Sequence, residues 1–322
     1  MASTNKKITM KIEEFVEEEL PLLTGMVTFN TYLPISPYVE STGVKTPEMS
    51  LRGVLFSQSR MQSENYLLNS RPPEESISQD MGVSTYLEPN VILSLAHRDL
   101  KELSSEKALA LPSPKRFRAP LSGAILARRS IREYSGESIK LADLSTILYY
   151  GDGVSGELPI RNIPIKSNTL GKHHAIKLRT APSGGGLYPL DIYLLVIRVE
   201  KLESGVYLYS PLNHNLKKIK SITEKELCRT AYPKDIDLTK IGAMIVFVYN
   251  FYANARKYGD PALGYAFIEV GEISQNIHLT STALGYGSCD IGAYYKHRLE
   301  KLLNIDGLHS HVVHLIVIGT RT

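Results

Sequence analysis

The sequence predicts an α+β fold, because its helical and extended segments follow one another in irregular order. Apolar residues recur near a helical period over residues 262–284, which predicts one long helix. Short runs rich in β-branched, aromatic and leucine residues, as at 192–199 and 243–249, predict buried strands. The regular strand–helix alternation of a doubly wound parallel sheet is absent, which makes that fold the weaker alternative.

Four shorter elements complete the predicted order of this regular part of the chain. Helices are predicted at 122–129 and 141–150, and Gly151 is predicted to end the second of them. Strands are predicted at 206–209, directly after a turn, and at 311–318, near the C-terminus.

The N-terminal third has a different composition. Residues 11–20 predict a short acidic helix that stops before Pro21, and irregular stretches rich in proline, serine and threonine follow it. Residues 109–120 contain three prolines and no periodicity, which predicts a linker. We therefore expect two parts, an N-terminal extension over residues 1–120 and a regular domain over residues 121–322.

Composition and charge exclude two classes of protein. Hydrophobic residues make up 43% of the chain and charged residues 22%, which excludes wholesale disorder. Residues 1–120 hold 13 Lys and Arg against 15 Asp and Glu, a net charge of −2, and residues 121–322 hold 24 against 18, a net charge of +6. A dedicated nucleic-acid binder would carry a basic stripe or a long Lys/Arg run. The second part instead suits a globular body that binds one or two anionic groups.

Cysteine content and hydropathy favour a cytoplasmic protein with no disulfide framework and no membrane segment. Cys228 and Cys289 lack the spacing of a Cys-based metal site. His309, His311 and His314 lie close together, but no recognisable zinc set is completed nearby, so we expect no metal. The first residues lack the apolar core of a signal peptide, and the longest apolar runs fall short of the roughly 18 residues that span a bilayer.

A cluster of arginines predicts an anion-binding segment. Arg128, Arg129 and Arg132 surround Ser130 within five residues, and a guanidinium group donates hydrogen bonds in a planar fork that suits a phosphate. The alternative is a solvated basic helix end, where the helix dipole favours cations. The cluster alone does not decide between them.

Two glycine-rich motifs differ in their significance. Residues 151–156 match G-x-G-x-x-G, but they follow a predicted helix rather than a strand, so we interpret them as a glycine loop and not as a dinucleotide fingerprint. Residues 179–189 (RTAPSGGGLYP) contain three consecutive glycines, whose backbone can approach a flat ligand closely. The alternative for this second motif is a flexible surface turn.

Two further motifs flank the long predicted helix. Lys257 and Tyr258 form a pair that can supply a general base when both side chains are partly desolvated, whereas a solvated loop before the helix is the alternative. Residues 285–293 (GYGSCDIGA) form a glycine-punctuated loop whose backbone amides can face a cofactor.

Taken in this order, the motifs resemble the nitroreductase superfamily, and within it the azoline dehydrogenases, which are the SagB-like (streptolysin-type) and thiazole/oxazole-forming flavin oxidases. The resemblance covers the chain from Leu121 to the C-terminus, with a weaker likeness at 64–70 and 82–95. Its anchors are RRSIREYSGE at 128–137, RTAPSGGGLYP at 179–189, GVYLY at 205–209, KYG at 257–259, Glu269 and Gln275-Asn276 in the long helix, and ALGYGSCDIGAY at 283–294.

The resemblance implies a nitroreductase-like FMN-binding fold, with a central, mostly antiparallel sheet flanked by helices, and a homodimer whose flavin lies in a cleft built from both subunits. It implies Lys257 and Tyr258 as the catalytic pair. The residues that it implies for FMN are Arg128, Arg129, Ser130 and Arg132 at the phosphate and ribityl chain, Pro182, Ser183, Gly184 and Gly185 along the isoalloxazine ring from across the dimer, Gln275 on the long helix, Gly292 and Ala293 near flavin N5, and Arg321 near the phosphate.

The resemblance also implies an activity, the oxidation of thiazoline or oxazoline rings in a peptide to thiazoles or oxazoles during biosynthesis of a bacteriocin-like natural product. A base removes the Cα proton, and a hydride passes to flavin N5. The implied partners are the azoline-containing peptide and a cyclodehydratase or carrier protein, with residues 1–120 as a lid or docking surface. Three alternatives stay open: an NAD(P)H-dependent reductase of nitro compounds or quinones, a non-catalytic scaffold subunit of a heterocycle-forming complex, and an oxidase acting on a carrier-bound peptide.

Overall fold

A computed structural model of the protein describes residues 66–67, 108–116, 118–159 and 175–322. The predicted acidic helix lies outside these ranges, as does the weaker upstream likeness apart from Tyr66 and Leu67, which are helical. In the described part of the chain, no helix combines the length and the apolar character needed to cross a lipid bilayer.

The described strands form one large sheet and one small ribbon. They are β1 (Ala108–Ala110), β2 (Val154–Pro159), β3 (Ala175–Arg179), β4 (Leu190–Val196), β5 (Gly205–Ser210), β6 (Asn215–Lys220), β7 (Ala243–Asn250), β8 (Tyr286–Asp290) and β9 (Ser310–Thr320). Seven of them form a sheet in the order β1-β6-β5-β4-β7-β9-β8, and each neighbouring pair is antiparallel. β2 and β3 form a separate antiparallel ribbon.

Helices cover both faces of the large sheet. They are α1 (Leu121–Ala127), α2 (Leu141–Asp152), α3 (Glu224–Cys228), α4 (Phe251–Tyr258), α5 (Pro261–Ala283) and α6 (Lys296–Leu303). Apolar residues of α2 and α5 share one core with the sheet, and those of α3 and α6 share a second core. An antiparallel sheet flanked by helices in irregular order confirms the predicted α+β fold.

The central strand β7 is buried on both faces. Ile245 and Phe247 belong to the core formed with α2 and α5, whereas Val246 and Val248 belong to the core formed with α3 and α6. Because successive side chains of a strand point to opposite faces, a strand that is covered on both faces must be apolar throughout. This arrangement explains the continuous apolar run that predicts the strand.

The second predicted helix extends further than the sequence indicates. Gly151, which the sequence predicts as the residue that ends the helix, lies inside α2, and the helix ends at Asp152. A Cβ atom at position 151 would lie 2.8 Å from Cγ1 of Ile277 on α5. The glycine is therefore required for the close packing of α2 against α5, and the prediction that it ends the helix is wrong.

The predicted linker is also partly wrong, because its first residues belong to the folded body. Strand β1, which begins at Ala108, pairs with β6, and the N–H of Leu111 donates a 3.1 Å hydrogen bond to the carbonyl of His214. The N–H of Lys115 donates to Oγ1 of Thr146 on α2 at 3.0 Å. These pairings depend on distant parts of the chain, so a local absence of periodicity does not reveal them.

The segment after α1 runs beside β8 and reaches the C-terminal end of β9. Ser130 forms an isolated bridge with Ser288, and Tyr134 forms one with Arg321. The ring of Tyr134 is buried and packs over Gly319, where a Cβ atom would lie 2.7 Å from Cδ1 of the ring. The absence of a side chain at this glycine therefore lets the segment pack closely against the sheet.

Substitution of Gly319 by alanine tests this packing. The added methyl group would overlap the Tyr134 ring, so we expect the free energy of unfolding, measured by urea denaturation, to fall by about 1–3 kcal/mol. Gly156→Ala is the control, since no atom lies within 4 Å of a Cβ atom at that position, and its effect should stay within about 0.5 kcal/mol. Equal losses in the two variants would contradict the packing role of Gly319.

Candidate active site

The arginine cluster and Arg321 lie side by side at one end of the sheet. Arg128 caps the C-terminal end of α1, and the residues that follow run along β8. The N–H of Ile131 donates to the carbonyl of Ser288 at 3.0 Å, and Nε of Arg321 donates to the carbonyl of Tyr286 at 3.0 Å. β8 thus joins two segments that are far apart in the sequence. We call Arg128, Arg129, Ser130, Arg132 and Arg321 the arginine group.

The guanidinium groups of the arginine group have hydrogen-bond acceptors for only some of their N–H donors among the described residues. Arg129 donates to main-chain carbonyls at the end of α1, and Arg132 forms an exposed salt bridge with Asp235 at 2.7 Å. Nη2 of Arg321 is buried and has no hydrogen-bond acceptor among the described residues. Because a buried donor without an acceptor is costly, this position suits a bound anion.

Gly184–Gly186, the three consecutive glycines of the motif at 179–189, form a tight turn shortly before β4. Gly185 and Gly186 have φ angles of 65° and 67°, which favour glycine. The carbonyl of Ser183 accepts from the N–H of Gly186 at 2.9 Å, and its Oγ accepts from the N–H of Tyr188 at 2.8 Å. The turn is closed by its own hydrogen bonds, which argues against a flexible surface turn.

Lys257 and Tyr258 contact this turn. They lie in the last turn of α4 and not in a solvated loop, and Nζ of the buried Lys257 is 5.1 Å from the centroid of the Tyr258 ring. A Cβ atom on Gly185 would lie 2.5 Å from Oη of Tyr258 and 2.6 Å from Nζ of Lys257. Pro182 and Gly184 are exposed beside them. We call Pro182, Ser183, Gly184, Gly185, Lys257 and Tyr258 the turn group.

The register of the sheet explains why these residues meet. Leu190, at the start of β4, pairs with Tyr249 near the end of β7, and α4 begins directly after β7. Because the two strands are antiparallel, the segment before β4 and the segment after β7 emerge from the sheet side by side. The turn and the Lys–Tyr pair are therefore neighbours in space although they are distant in the sequence.

The arginine group and the turn group lie at opposite ends of the sheet. Pairing between β7 and β9 runs from Ala243 and Ile318 at one end to Asn250 and Ser310 at the other. Arg321 follows β9 at the first end, whereas the turn group lies at the second. Successive residues of a strand rise by about 3.3 Å, so the length of β7 separates the two groups by roughly 23 Å.

Three other predicted residues lie on or after neighbouring elements. Residues 286–290, predicted as part of a glycine loop, form β8 because they pair with β9, and Gly292 and Ala293 follow that strand. Gly292 is exposed, and the carbonyl of Ala293 accepts from the N–H of Tyr232 at 2.8 Å. Gln275 is exposed on α5. The roles of these residues toward FMN stay predictions.

A polar network between α5 and β8 was not predicted from the sequence. His278 hydrogen-bonds to Oγ of Ser288 at 2.8 Å and to Asp290 at 2.9 Å, and His314 reaches the same carboxylate at 2.7 Å. Burial alone would raise the pKa of Asp290, but hydrogen bonds from both histidines and from Ser274 hold that pKa well below its usual range. In the described ranges, no cluster of His, Cys, Asp and Glu has the arrangement of a metal site.

Glu269 lies on α5, the helix that contacts the turn. Its side chain is 3% exposed, and its Oε1 has no hydrogen-bond partner among the described residues. Burial raises the pKa of Glu269 to about 8, the hydrogen bond from Ser183 opposes this shift, and the charge of Asp152 adds to it. The sequence offers two signals for this residue: it is a carboxyl group on the apolar face of the long predicted helix, and it is one of the anchors of the family resemblance.

Arg179, the first residue of the motif at 179–189, has a structural partner. Arg179 and Asp152 are both buried and form an ion pair at 2.7 Å. The guanidinium carbon of Arg179 lies 4.4 Å from the centroid of the Tyr188 ring. This ion pair joins the C-terminal end of α2 to the end of β3, and it therefore anchors the chain where the turn begins.

The comparison with known families decides the identity of this fold. The sequence model of the nitroreductase family matches residues 125–320 of this chain. The chain belongs to the nitroreductase family. The matched range holds the whole turn group and all of the arginine group except Arg321.

Two relatives resemble this chain in sequence. It is 31% identical over 185 residues to a Methanocaldococcus jannaschii protein named as a nitroreductase, an alignment that covers 58% of this chain and 84% of that protein. It is 29% identical over 133 residues to the microcin B17-processing protein McbC of Escherichia coli, and this alignment covers 40% of this chain and 49% of McbC.

Solved structures share the fold. A Ralstonia eutropha chain described as a nitroreductase superposes with a TM-score of 0.53 at 23% identity, covering 68% of this chain and 91% of that one. A chain of the Escherichia coli microcin synthetase McbBCD complex, with truncated pro-MccB17 bound, superposes with a TM-score of 0.50 at 18% identity, covering 77% and 98%. These likenesses confirm the nitroreductase fold that the motifs imply.

The buried carboxyl group of Glu269 predicts that the stability of the protein depends on pH. In the folded protein the carboxyl group keeps its proton up to a pKa of about 8, whereas in the unfolded chain it ionises near the usual value of 4.5. The contribution of this group to the free energy of unfolding is therefore fully present at acid pH. It is lost as the pH rises toward 8, and the total loss is up to about 5 kcal/mol.

Glu269→Gln removes this contribution. We expect the free energy of unfolding of the variant, relative to the wild type and measured in urea at pH 5 and at pH 8, to increase by several kcal/mol between the two pH values. Glu272→Gln, on the same helix, is the control and should keep most of the wild-type dependence. A difference between Glu269→Gln and wild type that is the same at both pH values would contradict the assignment.

Proposed function

We propose that this nitroreductase-family protein is an FMN-dependent azoline dehydrogenase, which oxidises thiazoline or oxazoline rings in a peptide to thiazoles or oxazoles. The observation that carries the proposal is the contact of the buried Lys257 and its neighbour Tyr258 with the turn at Gly185. An amine and a phenol then lie beside a backbone that a flat ring can approach. The likeness to McbC, a microcin B17-processing protein, supports a peptide substrate.

The arginine group fits the phosphate of FMN. Its guanidinium groups are donors only, and the buried Nη2 of Arg321 lacks an acceptor that a phosphate would supply. The residues that would hold the phosphate and ribityl chain are Arg128, Arg129, Ser130, Arg132 and Arg321, while Pro182, Ser183, Gly184 and Gly185 would line the ring, with Gln275, Gly292 and Ala293 as further contacts. Bound FMN supplies the hydride acceptor that the oxidation requires.

The separation of the two groups supports a homodimer. A single FMN, with its short ribityl chain, does not span the roughly 23 Å between the arginine group and the turn group of one chain. A second copy that places its turn group beside the arginine group of the first would complete the site. Exposed apolar side chains on α1 and α5, among them Leu121, Leu126 and Ile268, supply a surface for this contact.

The chain contributes a base and the orientation of the substrate. Oxidation of an azoline removes the Cα proton and a hydride from the adjacent ring carbon, and the electron pair of the Cα–H bond forms the new ring double bond. We assign the proton to Tyr258 or Lys257, which lie beside the turn. Burial of Lys257 limits its contact with water, and the packing of Gly185 fixes the position of both groups.

A second candidate function is the NAD(P)H-dependent reduction of nitro compounds or quinones. The likeness to the Methanocaldococcus jannaschii nitroreductase over 84% of that protein favours it. Stopped-flow mixing of the purified flavoprotein with NADH separates the two functions. Rapid loss of the oxidised-flavin absorbance would favour the reductase, whereas a slow loss together with azole formation would favour the dehydrogenase.

Partner proteins form part of the proposal. The likeness to a chain of the microcin synthetase complex supports action beside a cyclodehydratase, and a carrier-bound peptide is the alternative way to present the substrate. We confine the proposed docking segment of the N-terminal extension to residues before Ala108, because β1 belongs to the sheet. Unchanged activity on the full-length precursor peptide after deletion of residues 1–107 would contradict this role.

The Lys–Tyr pair can be tested directly. We expect Lys257→Ala and Tyr258→Phe each to lower the rate of azole formation by about 10²–10⁴-fold, because each loses part of the base, while FMN stays bound. Azole formation is measured by mass spectrometry as the loss of two hydrogens per ring from a cyclised precursor peptide. Arg256→Gln, an exposed neighbour on α4, is the control. Full activity of both variants with bound flavin would instead favour the scaffold subunit.

The phosphate site can be tested separately. We expect Arg321→Gln to raise the Kd for FMN by about 10–100-fold, because one charge-assisted hydrogen bond to the phosphate is lost. Quenching of flavin fluorescence on binding measures this constant. Arg118→Gln, which removes an exposed arginine outside the arginine group, should leave the Kd unchanged. Equal affinities in the two variants would place the phosphate elsewhere.

A further inference from the structure

We propose that Asp290 is a positioning residue for the loop at residues 291–293, which follows β8. Its carboxylate is bound by side chains of α5 and β9, and the loop holds Gly292 and Ala293, two of the proposed FMN contacts. This inference rests on the function proposed above, because it concerns a part of that site. The attachment of the loop to Asp290 is nevertheless a property of the chain itself and can be measured without a reaction.

Three side chains donate hydrogen bonds to the carboxylate of Asp290. Oδ1 accepts from Oγ of Ser274 at 2.9 Å and from Nε2 of His314 at 2.7 Å, and Oδ2 accepts from Nε2 of His278 at 2.9 Å. An ionised carboxylate only accepts hydrogen bonds, so both histidines carry a proton on Nε2. Hydrogen bonds to a charged acceptor are the stronger kind. Asp290 is therefore tied at once to α5 and to β9.

A further hydrogen bond fixes the orientation of the His278 ring. Its Nδ1 lies 2.8 Å from Oγ of Ser288, which comes two residues before Asp290 and therefore faces the same side of the sheet. A neutral imidazole with its proton on Nε2 accepts at Nδ1, so Ser288 donates its hydroxyl proton. His278 is buried, and it joins two positions of β8 in a single arrangement of protons.

The register of β9 places His314 diagonally across from Asp290. Asp290 pairs with Ile316, and His314 lies two residues before Ile316 on the same face of the sheet. Directly before His314, the pairing of β9 with β7 skips Val313. Such bulges change the direction of a strand and are frequent beside active sites. The regular part of β9 thus ends at the residue that binds the carboxylate.

The loop beyond Asp290 is attached at both ends and has unpaired donors between them. The N–H of Ile291 donates to a carbonyl of β9 at 2.9 Å, and the carbonyl of Ala293 accepts from the N–H of Tyr232 at 2.8 Å. Over the described ranges, the N–H groups of Gly292 and Ala293 have no acceptor. Two adjacent N–H donors that project from a fixed loop suit an acceptor atom of a bound cofactor.

Asp290→Asn removes the anchor with a minimal change of shape. An asparagine side chain offers one acceptor oxygen and one N–H₂ donor, so at least one of the three donors around position 290 would face another donor. The N–H of the buried His278 ring cannot turn to water without cost. The main-chain bond of Ile291 would then hold the start of the loop without help from a side chain.

Hydrogen–deuterium exchange tests the attachment of the loop without an enzymatic assay. Peptides that cover residues 291–295 are analysed by mass spectrometry in the purified full-length protein, with peptides from β7 as an internal reference. We expect Asp290→Asn to lower the protection of the loop amides about tenfold, while the protection of β7 stays unchanged. His309→Leu, which replaces an exposed histidine that does not contact Asp290, is the control and should match the wild type.

Two variants of His314 separate the hydrogen bond from packing. Glutamine places an N–H₂ group near the position of Nε2 and keeps a donor for Asp290, whereas leucine has no donor. We expect His314→Gln to retain the wild-type protection of the loop and His314→Leu to lose about as much as Asp290→Asn. His314 is only half-buried, so both variants should fold.

The spectrum of bound flavin reports the orientation of the loop toward FMN. We expect Asp290→Asn and His314→Leu to change the visible circular dichroism of the bound flavin and to raise the Kd for FMN about tenfold. His314→Gln should keep the wild-type spectrum and affinity. A residue that only stabilised the fold would leave the spectrum of the bound flavin unchanged.

The outcomes separate the two proposals. Wild-type protection of the loop in Asp290→Asn would overturn the positioning role, as would an equal loss in the peptides of β7. An unchanged flavin spectrum in that variant would overturn the role toward FMN. If the protein takes up no FMN but the loop shows the expected exchange response, the proposed function fails and the positioning of the loop by Asp290 stands.

Discussion

Burial of β4, β7 and β9 on both faces is the constraint on which the rest of the structure depends. A polar side chain in the middle of these strands would lie in one of the two cores, where it would need a partner. The arginine group and the turn group accordingly lie outside these strands. The Gly184–Gly186 turn precedes β4, Lys257 follows β7 and Arg321 follows β9, so the antiparallel pairing decides which of them are neighbours.

Elements with a strong local pattern could be predicted from the sequence, and elements that depend on distant partners could not. The apolar run of β7 and the periodic face of α5 are intrinsic to their segments. β8 reads YGSCD, and its glycine favours a loop unless β9 supplies hydrogen bonds. α4 is short, so its own sequence is as compatible with a loop as with a helix. The prediction that Gly151 ends α2 was wrong because the glycine is there for its close packing against Ile277.

In the candidate site, too, the residues with a local pattern could be predicted from the sequence, whereas the contacts between distant segments could not. Arg128–Arg132, the three glycines and the Lys257–Tyr258 pair are contiguous in the sequence, so their chemistry is visible before the fold is known. The contact of Gly185 with Lys257 and Tyr258 joins residues on distant segments, and no local pattern pairs them. The sequence marks Glu269 as a charge on an apolar helix face and as an anchor of the family resemblance, but its burial depends on how the rest of the fold packs on α5.

Strand β1 covers one edge of the described sheet with only three residues. The strand that it covers, β6, carries Lys217, Lys218 and Lys220. An unpaired strand edge is a template for other chains, and both a short covering strand and lysine side chains discourage such pairing. A shortened chain that begins after Ala110 would expose this edge, with lysines as its remaining protection against aggregation. The choice of an N-terminal boundary therefore affects solubility as well as activity.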